Sequence, residues 1–260
     1  MKVVTVATEE KFHFKNLKQS VEAQGQTLHV LGQGKVYHAH YMKDVWMLNF
    51  CRGLPRDEVV LFVDGYDSVV CGDLGDLEQK FLGTTFPMVI SMDGVNCNEN
   101  ILCKYTYNKI MSFKGNTGIY IGYAGHIRDF IEAVRSDPRR AKNPSNQSAW
   151  GTFYNTQPKD KWLAIDENHD FFYNLVHFQN NPIGSDFKVT RDKAFTELYF
   201  RGKQVFVVSA PGSTDLNTLV AKLGYEPVVG ENKTMANNAK YYFRFFILEI
   251  VALIALVLVI

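Results

Sequence analysis

A chain of 260 residues, 46% hydrophobic and 13% aromatic, carries enough apolar material for one large α/β domain or two small ones, which excludes a disordered chain. Its 28 basic and 27 acidic residues leave a net charge of +1, so no global basic excess recommends nucleic acid as a partner. The basic segment Arg135 to Lys142, with Arg139 and Arg140, reads as a solvated helix end.

Strand and helix signals then alternate along the chain. Val3–Thr8 predicts a first core strand, Glu10–Gln24 a helix with Phe14, Leu17 and Val21 on one side, and Thr27–Leu31 a second strand that turns at Gly32-Gln33-Gly34. Tyr41–Cys51 is helical in pattern and is stopped by Gly53 and Pro55. Val59–Val63 is an unbroken apolar run of the kind buried on both faces inside a parallel sheet. A short amphipathic helix follows at Asp73–Phe81, a strand at Met88–Ser91, and a polar excursion at Asp93–Lys109. Gly118–Gly122 predicts a strand, His126–Ser136 a helix, Pro138–Ser145 a loop, and Asn146–Asn155 a helix with Trp150 and Phe153 inward. Trp162–Ile165, Phe171–Val176 and Gln204–Val208 read as strands, and Thr214–Leu223 as a helix after Pro211-Gly212. This alternation predicts an α/β fold, a Rossmann-type, mostly parallel central sheet covered by helices. No G-x-G-x-x-G follows the first strand and no Walker A sequence is present, which disfavours dinucleotides and P-loop chemistry.

The chemistry concentrates where Val59–Val63 ends, in Asp64-Gly65-Tyr66-Asp67. Ligands of open α/β sheets bind beyond the carboxyl ends of the strands. Two acids three positions apart offer oxygen ligands to Mg²⁺ or Mn²⁺, which in turn bridges a pyrophosphate and stabilises a departing phosphate. The plain alternative is a strand end with an Asp-Gly turn. Of the four cysteines, Cys51 and Cys71 read as core residues, whereas Cys97 and Cys103 flank a polar loop and would pair in an oxidising compartment.

No secretory signal opens the sequence, since residues 1–8 already read as core. From Phe245 to Ile260 every residue but Glu249 is apolar, and Tyr241, Tyr242 and Arg244 precede the run like an interfacial belt. The alternatives are a buried C-terminal helix and a tail anchor, and the all-round apolar character favours the anchor. The expected organisation is a domain at 1–230, a linker at 231–240 and a hydrophobic tail at 241–260, tethered to a membrane with the domain facing the cytoplasm and its thiols reduced. The patterns Asn146-Gln147-Ser148 and Asn232-Lys233-Thr234 fit glycosylation acceptors and are read as chance.

The sequence resembles the glycosyltransferase domain of the procollagen lysyl hydroxylases and related collagen-type glycosyltransferases. Val3–Thr8 with Leu31-Gly32-Gln33-Gly34 resembles the family's first strand and its Leu-Gly-x-Gly turn. Phe62–Asp67 is similar to its Phe-Val-Asp-x-Tyr-Asp, and Asn116–Gly122 to its Asn-Ser-Gly-Gly-Phe-Ile-Gly. Trp162–Asn174 resembles the stretch ending Ile-Phe-Gln-Asn, and Val207–Gly212 the last metal-binding strand. The resemblance, over residues 3–225, implies a GT-A fold and a metal-dependent enzyme using UDP-sugars, with Mn²⁺ or Mg²⁺ on Asp64 and Asp67. It further implies Tyr66 against the uracil, Lys43 near the nucleotide, Asn116 facing the sugar, Gly212 at the diphosphate, and Ser213 or Thr214 capping the next helix.

The departures are as informative. Ser209 stands where the family has a metal-binding histidine, and Asp215 where it has a diphosphate lysine. Ser145-Asn146-Gln147 stands where it has a run of aspartates. Ser209 is the candidate third ligand, with His38, His40, His169 and His177 as possible replacements for the missing imidazole. Asp93, after the Met88 strand, is the candidate base, with an Asp-Gly turn as its plain alternative. Three functions follow in order: a glycosyltransferase moving sugar to a hydroxyl of a glycan or hydroxylated side chain, a membrane-tethered module that binds UDP-sugar without chemistry, and a haloacid-dehalogenase-type phosphotransferase. The last requires its second acid two positions on, one short of Asp67.

Overall fold

The computed structural model describes residues 1–93, 113–139, 145–158, 161–175, 187–190, 195–211 and 215–228. The cysteines Cys97 and Cys103, His177, Asn232 and the 241–260 tail, with the hydrophobic helix expected there, lie outside the described residues. Among the described residues no helix is long and apolar enough to cross a membrane.

The central sheet has six strands: β1 (Lys2–Val6), β2 (Leu28–Leu31), β3 (Val59–Val63), β5 (Met88–Met92), β6 (Gly115–Tyr123) and β7 (Ala164–Asp166). Their order is β2-β1-β3-β6-β5-β7, parallel except that β6 runs against both of its neighbours. The chain moves from β1 to one side through helix α1 (Phe14–Glu22) and to the other through α2 (Tyr41–Arg52). A reversal of this kind opens a crevice between β1 and β3 at their carboxyl ends.

Alternation within the strands explains why both sheet faces are covered. Val3, Leu61 and Val63 pack with Phe14, Leu17 and Val21 of α1 and with Leu74, Leu77 and Phe81 of α3 (Leu74–Leu82). Val4, Val60 and Phe62 point the other way, onto Met47 and Leu48 of α2, Ile127 and Phe130 of α4 (Ala124–Ser136) and Trp150 of α5 (Asn146–Tyr154). Every residue of β3 is buried, as its apolar run predicts.

Two small sheets flank the large one. Strand β12 (Val207–Ser209) lies between β4 (Ser68–Val70), antiparallel, and β8 (Phe172–Asn174), parallel. Strands β9 (Phe187–Thr190), β10 (Glu197–Phe200) and β11 (Lys203–Val205) form an antiparallel meander, and a third apolar cluster joins both small sheets to α6 (Asn217–Lys222).

Several expectations need correction. The stretch Gln204–Val208 is two strands in different sheets, β11 and β12, divided at Phe206. Strand β1 stops at Val6, and the first helix starts at Phe14 rather than Glu10, after Phe12 in the left-handed region at φ 53°. The last helix spans six residues rather than ten, and the strand expected at Trp162–Ile165 is short and shifted to Ala164–Asp166. Cys51 and Cys71 are buried free thiols in the core, as expected.

Candidate functional site

The carboxyl ends of β1, β3, β5 and β7 share one sheet edge, and the site assembles there. Thr5 Oγ1 donates to Val63 O at 2.7 Å, and the Asp64 N–H donates to Gly118 O at 2.7 Å, so the end of β3 is held from both sides. Gly65 is a steric requirement: a Cβ there would stand 2.9 Å from Thr5 Oγ1 and from Val6 O. Tyr66 hooks back over the end of β1. Its hydroxyl accepts the Thr8 N–H at 2.9 Å and donates to Glu9 O at 3.2 Å, while Phe12 meets its ring edge-on at 5.7 Å. The ring is half-buried, with Lys11 Nζ 5.1 Å from its centroid.

Asp64 and Asp67 have different partners. Asp64 Oδ2 is ion-paired with Lys43 Nζ from the first turn of α2, the two side chains 19% and 13% exposed. Burial alone would lower the Lys43 titration, but Asp64, Tyr37 and Asp67 outweigh it and hold the ammonium charged. Asp67 Oδ1 receives the Ser68 and Ser209 hydroxyls, each at 3.3 Å, and Asp67 O receives the Ala210 N–H at 2.7 Å. Burial first, and repulsion from Asp64 second, push the Asp67 carboxyl up to about 7, against the lowering pull of Lys43 and the two hydroxyls. The rise of Asp67 shows two acids competing for one ammonium, Lys43, and once Asp67 ionises above about pH 7 this cluster of described residues carries a net negative charge.

The Asp93 carboxylate at the end of β5 receives Asn116 Nδ2 at 3.2 Å and Gln147 Nε2 at 3.4 Å. Asn116 Oδ1 in turn accepts the Gly118 N–H at 2.7 Å. A bulge makes this possible: Ile90 pairs with Tyr120 but Ser91 pairs with Asn116, so Thr117, Gly118 and Ile119 have no partners on β5. Gly118 is thereby turned onto Asp64 and Thr117 onto α5, where its hydroxyl donates to Asn146 Oδ1 at 3.4 Å and its N–H to Gln147 Oε1 at 3.4 Å.

Behind these groups Asp44, only 2% exposed, accepts from Asn146 Nδ2 at 3.4 Å and Trp150 Nε1 at 3.3 Å. It ties the first turn of α2, which carries Lys43, to the first turn of α5, which carries Gln147. Sequence reasoning missed Asp44, although a signal exists: the buried positions 44, 47, 48 and 51 form one helical stripe, and an acid on such a stripe requires partners. Asn174, beside Ser209 in the small sheet, donates to Ser91 Oγ at 3.1 Å, linking the two halves of the edge. Its Oδ1 is buried without a hydrogen-bond partner among the described residues.

The sequence-predicted residues Asp64, Asp67, Tyr66, Lys43, Ser209, Asn116 and Asp93 thus meet at one edge, while Gly212, Ser213 and Thr214 lie outside the described residues. Asp215 turns back onto its own helix, accepting the Asn217 N–H at 2.9 Å and the Thr218 hydroxyl at 3.3 Å. His169 sits in an aromatic cluster with Tyr173 and Phe200, and His40 bonds the Tyr37 hydroxyl at 3.0 Å. Among the described residues no three His, Cys, Asp or Glu side chains gather as a complete cation cage. The donor set of two carboxylates with a hydroxyl fits Mg²⁺ or Mn²⁺, hard ions that keep waters and complete their shell with phosphate oxygens.

Comparison with known proteins gives the family and the fold. Procollagen-lysine,2-oxoglutarate 5-dioxygenase 2 of Homo sapiens is 28% identical over 144 residues, which is 50% of this chain and 19% of that protein. The Mus musculus protein of the same name is 29% identical over 141 residues, again 50% of this chain and 19% of the relative, so the match spans about a fifth of either relative's length. The crystal structure of a glycosyltransferase involved in the glycosylation of the major capsid of PBCV-1 shares the fold. It aligns with a TM-score of 0.51 and 11% identity over 81% of this chain and 92% of that one. Residues 1–223 match the family described as PLOD GT domain, and the chain therefore belongs to that family of glycosyltransferase domains, in a GT-A fold.

Proposed function

We propose that this glycosyltransferase domain is metal-dependent and moves a sugar from a UDP-sugar donor to a hydroxyl acceptor, a glycan or a hydroxylated side chain. The observation that carries the reading is the convergence of Asp64 and Asp67 at the switch-point crevice, close enough that Asp64 raises the Asp67 carboxyl even with Lys43 beside them. Asp64, Asp67 and the Ser209 hydroxyl would hold Mn²⁺ or Mg²⁺, which when bound supplies charge stabilisation to the leaving diphosphate. The acceptor oxygen forms a bond to the anomeric carbon as the bond from that carbon to the phosphate oxygen breaks. UDP leaves with the bonding pair, and the acceptor proton passes to a carboxylate.

Asp93 is the candidate for that proton. It stands on the same edge, oriented by Asn116 and Gln147. Lys43 is ion-paired with Asp64, which supports a role at the diphosphate. Tyr66, fixed to the turn after β1, lies beside the crevice and supports the uracil-facing role. Asn116 supports a sugar-facing role, with its amide already pre-set by Asp93 and Gly118.

The apolar run Phe245–Ile260 supports a membrane-tethered domain. Recovery of the intact chain in the soluble fraction without detergent ends that part of the reading.

One feature favours the second reading, a module that binds UDP-sugar without chemistry. The family's imidazole is replaced by Ser209, and Asp215 spends its carboxylate on its own helix. Release of UDP from a panel of UDP-sugars with Mn²⁺ separates the two. Turnover that disappears in Asp64→Ala and Asp67→Ala identifies the enzyme; uptake of UDP with Mn²⁺ but no turnover identifies the module.

A further inference from the structure

We propose that Lys43 is a built-in occupant of the cation site, so that divalent metal and nucleoside diphosphate bind cooperatively, the diphosphate drawing the Lys43 ammonium off Asp64 as the metal arrives. This rests on the reading of Asp64 and Asp67 as metal ligands.

The geometry of the pair carries the inference. Lys43 Nζ engages Asp64 Oδ2, an oxygen a cation would need, and neither side chain is more than about a fifth exposed, at 13% and 19%. Exposed ion pairs exchange freely with water, but a desolvated pair must be broken against a much stronger attraction. The titratable groups facing the ammonium are Asp64, Asp67, Tyr37 and His40, and no second carboxylate receives it in an ion pair among the described residues.

The charges then set the sign of the coupling. Above about pH 7, where Asp67 is ionised, the cluster of Asp64, Asp67 and Lys43 is net negative by one charge. Adding a dication makes it net positive by one, with the ammonium held beside the metal. Metal alone must therefore either tolerate that repulsion or expel Lys43 unpaired from a largely buried position, and both are costly. A diphosphate removes the conflict, because its oxygens accept Lys43 on one side and the metal on the other. By linkage, each ligand then strengthens the other by the same factor.

The test is calorimetric titration of the full chain, held in neutral detergent, with MnCl₂ in the absence and presence of UDP. In the wild type, UDP is expected to tighten manganese binding by about 10- to 100-fold. Lys43→Met should bind manganese alone about tenfold more tightly than the wild type, and the gain from UDP should shrink by about the same factor, leaving only the share that direct metal–phosphate contact supplies. Lys43→Arg, which keeps a cation on Asp64, should retain weak binding of manganese alone. A side chain with only a structural role would weaken both measurements together rather than move them in opposite directions. Should Lys43→Met fail to fold, Lys43→Gln repeats the comparison. If either neutral variant binds manganese alone no more tightly than the wild type while UDP still tightens it, the Lys43 proposal is overturned and the metal reading stands. If no variant and no condition takes up manganese, both fall together.

Discussion

The end of β3 and the end of β7 lie on the same sheet edge, and each presents an aspartate whose needs are met in opposite ways. Asp166, closing β7, is 6% exposed, and its carboxylate receives the N–H groups of Asp170, Phe171 and Phe172 at 2.8, 2.9 and 2.8 Å. Burial raises its titration, while those three amides oppose the rise. Its charge is answered by backbone, and its work is to fold the turn into β8. Asp67 receives two long hydroxyl contacts and the pull of Lys43 while facing Asp64, and among the described residues no backbone amide donates to its carboxylate. An acid satisfied by its own chain is architecture; an acid left short of positive charge is prepared for a ligand.

Breaking each end in turn separates these roles. Asp64→Ala and Asp67→Ala should each lower UDP-sugar turnover by about 10³-fold or more, measured as UDP release, because the leaving group loses its electrostatic support. Asp166→Ala should leave three N–H groups without their acceptor, two of them in the buried turn at Phe171 and Phe172. A loss of about 2–5 kcal/mol in chemical denaturation is expected, with manganese uptake per folded molecule unchanged. Normal stability in Asp166→Ala would remove the contrast.

The β3 end was legible because a five-residue apolar run followed by two acids is a local signal, and its neighbours match a resembling family in order. Lys43, twenty-one positions upstream, was legible only through that resemblance, since helical periodicity does not say where a lysine points. Asp44 was readable in principle from its position on the apolar stripe of α2. The rest depends on partners distant in the chain. Strand β4 has three residues, too few to show a period, and exists because Ser68–Val70 finds Val207–Ser209. Nothing local divides Gln204–Val208 between two sheets, and the bulge that turns Thr117–Gly118 toward the site is a mismatch between two strands, visible only once both are placed. The β9–β10 pairing escaped notice for the same reason.

Two smaller perturbations sharpen the comparison at the β3 end. Gly65→Ala places a methyl 2.9 Å from Thr5 Oγ1 and Val6 O, so β1 or the Asp64–Asp67 turn must shift. Overpacking of this kind costs about 1–3 kcal/mol, and manganese uptake should weaken with it, because the two carboxylates no longer hold their spacing. The titration of Asp67 gives a pH signature. Its carboxyl rises from 3.8 unfolded to about 7 folded, so the folded state binds more protons than the unfolded state between those values. The metal-free protein therefore keeps this contribution below pH 4 and loses it as pH climbs toward 7. Its Tm should fall by a few degrees over that window, after correction for other groups, and Asp67→Asn should flatten the fall.

Ser209→Ala should have the smallest effect and decides what the hydroxyl does. Ser209 Oγ donates to Asp67 Oδ1 at 3.3 Å, a contact that favours the ionised acid. Removing one such hydrogen bond, worth about 0.5–1.5 kcal/mol, should move the half-point of manganese uptake up by roughly half a pH unit. At high pH, where Asp67 is ionised with or without help, uptake should return to the wild-type level. Weakening of equal size at every pH would instead make the oxygen a direct ligand. The two outcomes part most clearly above pH 8, where a hydrogen-bond donor to Asp67 has no remaining proton to displace and a ligand still has an ion to hold.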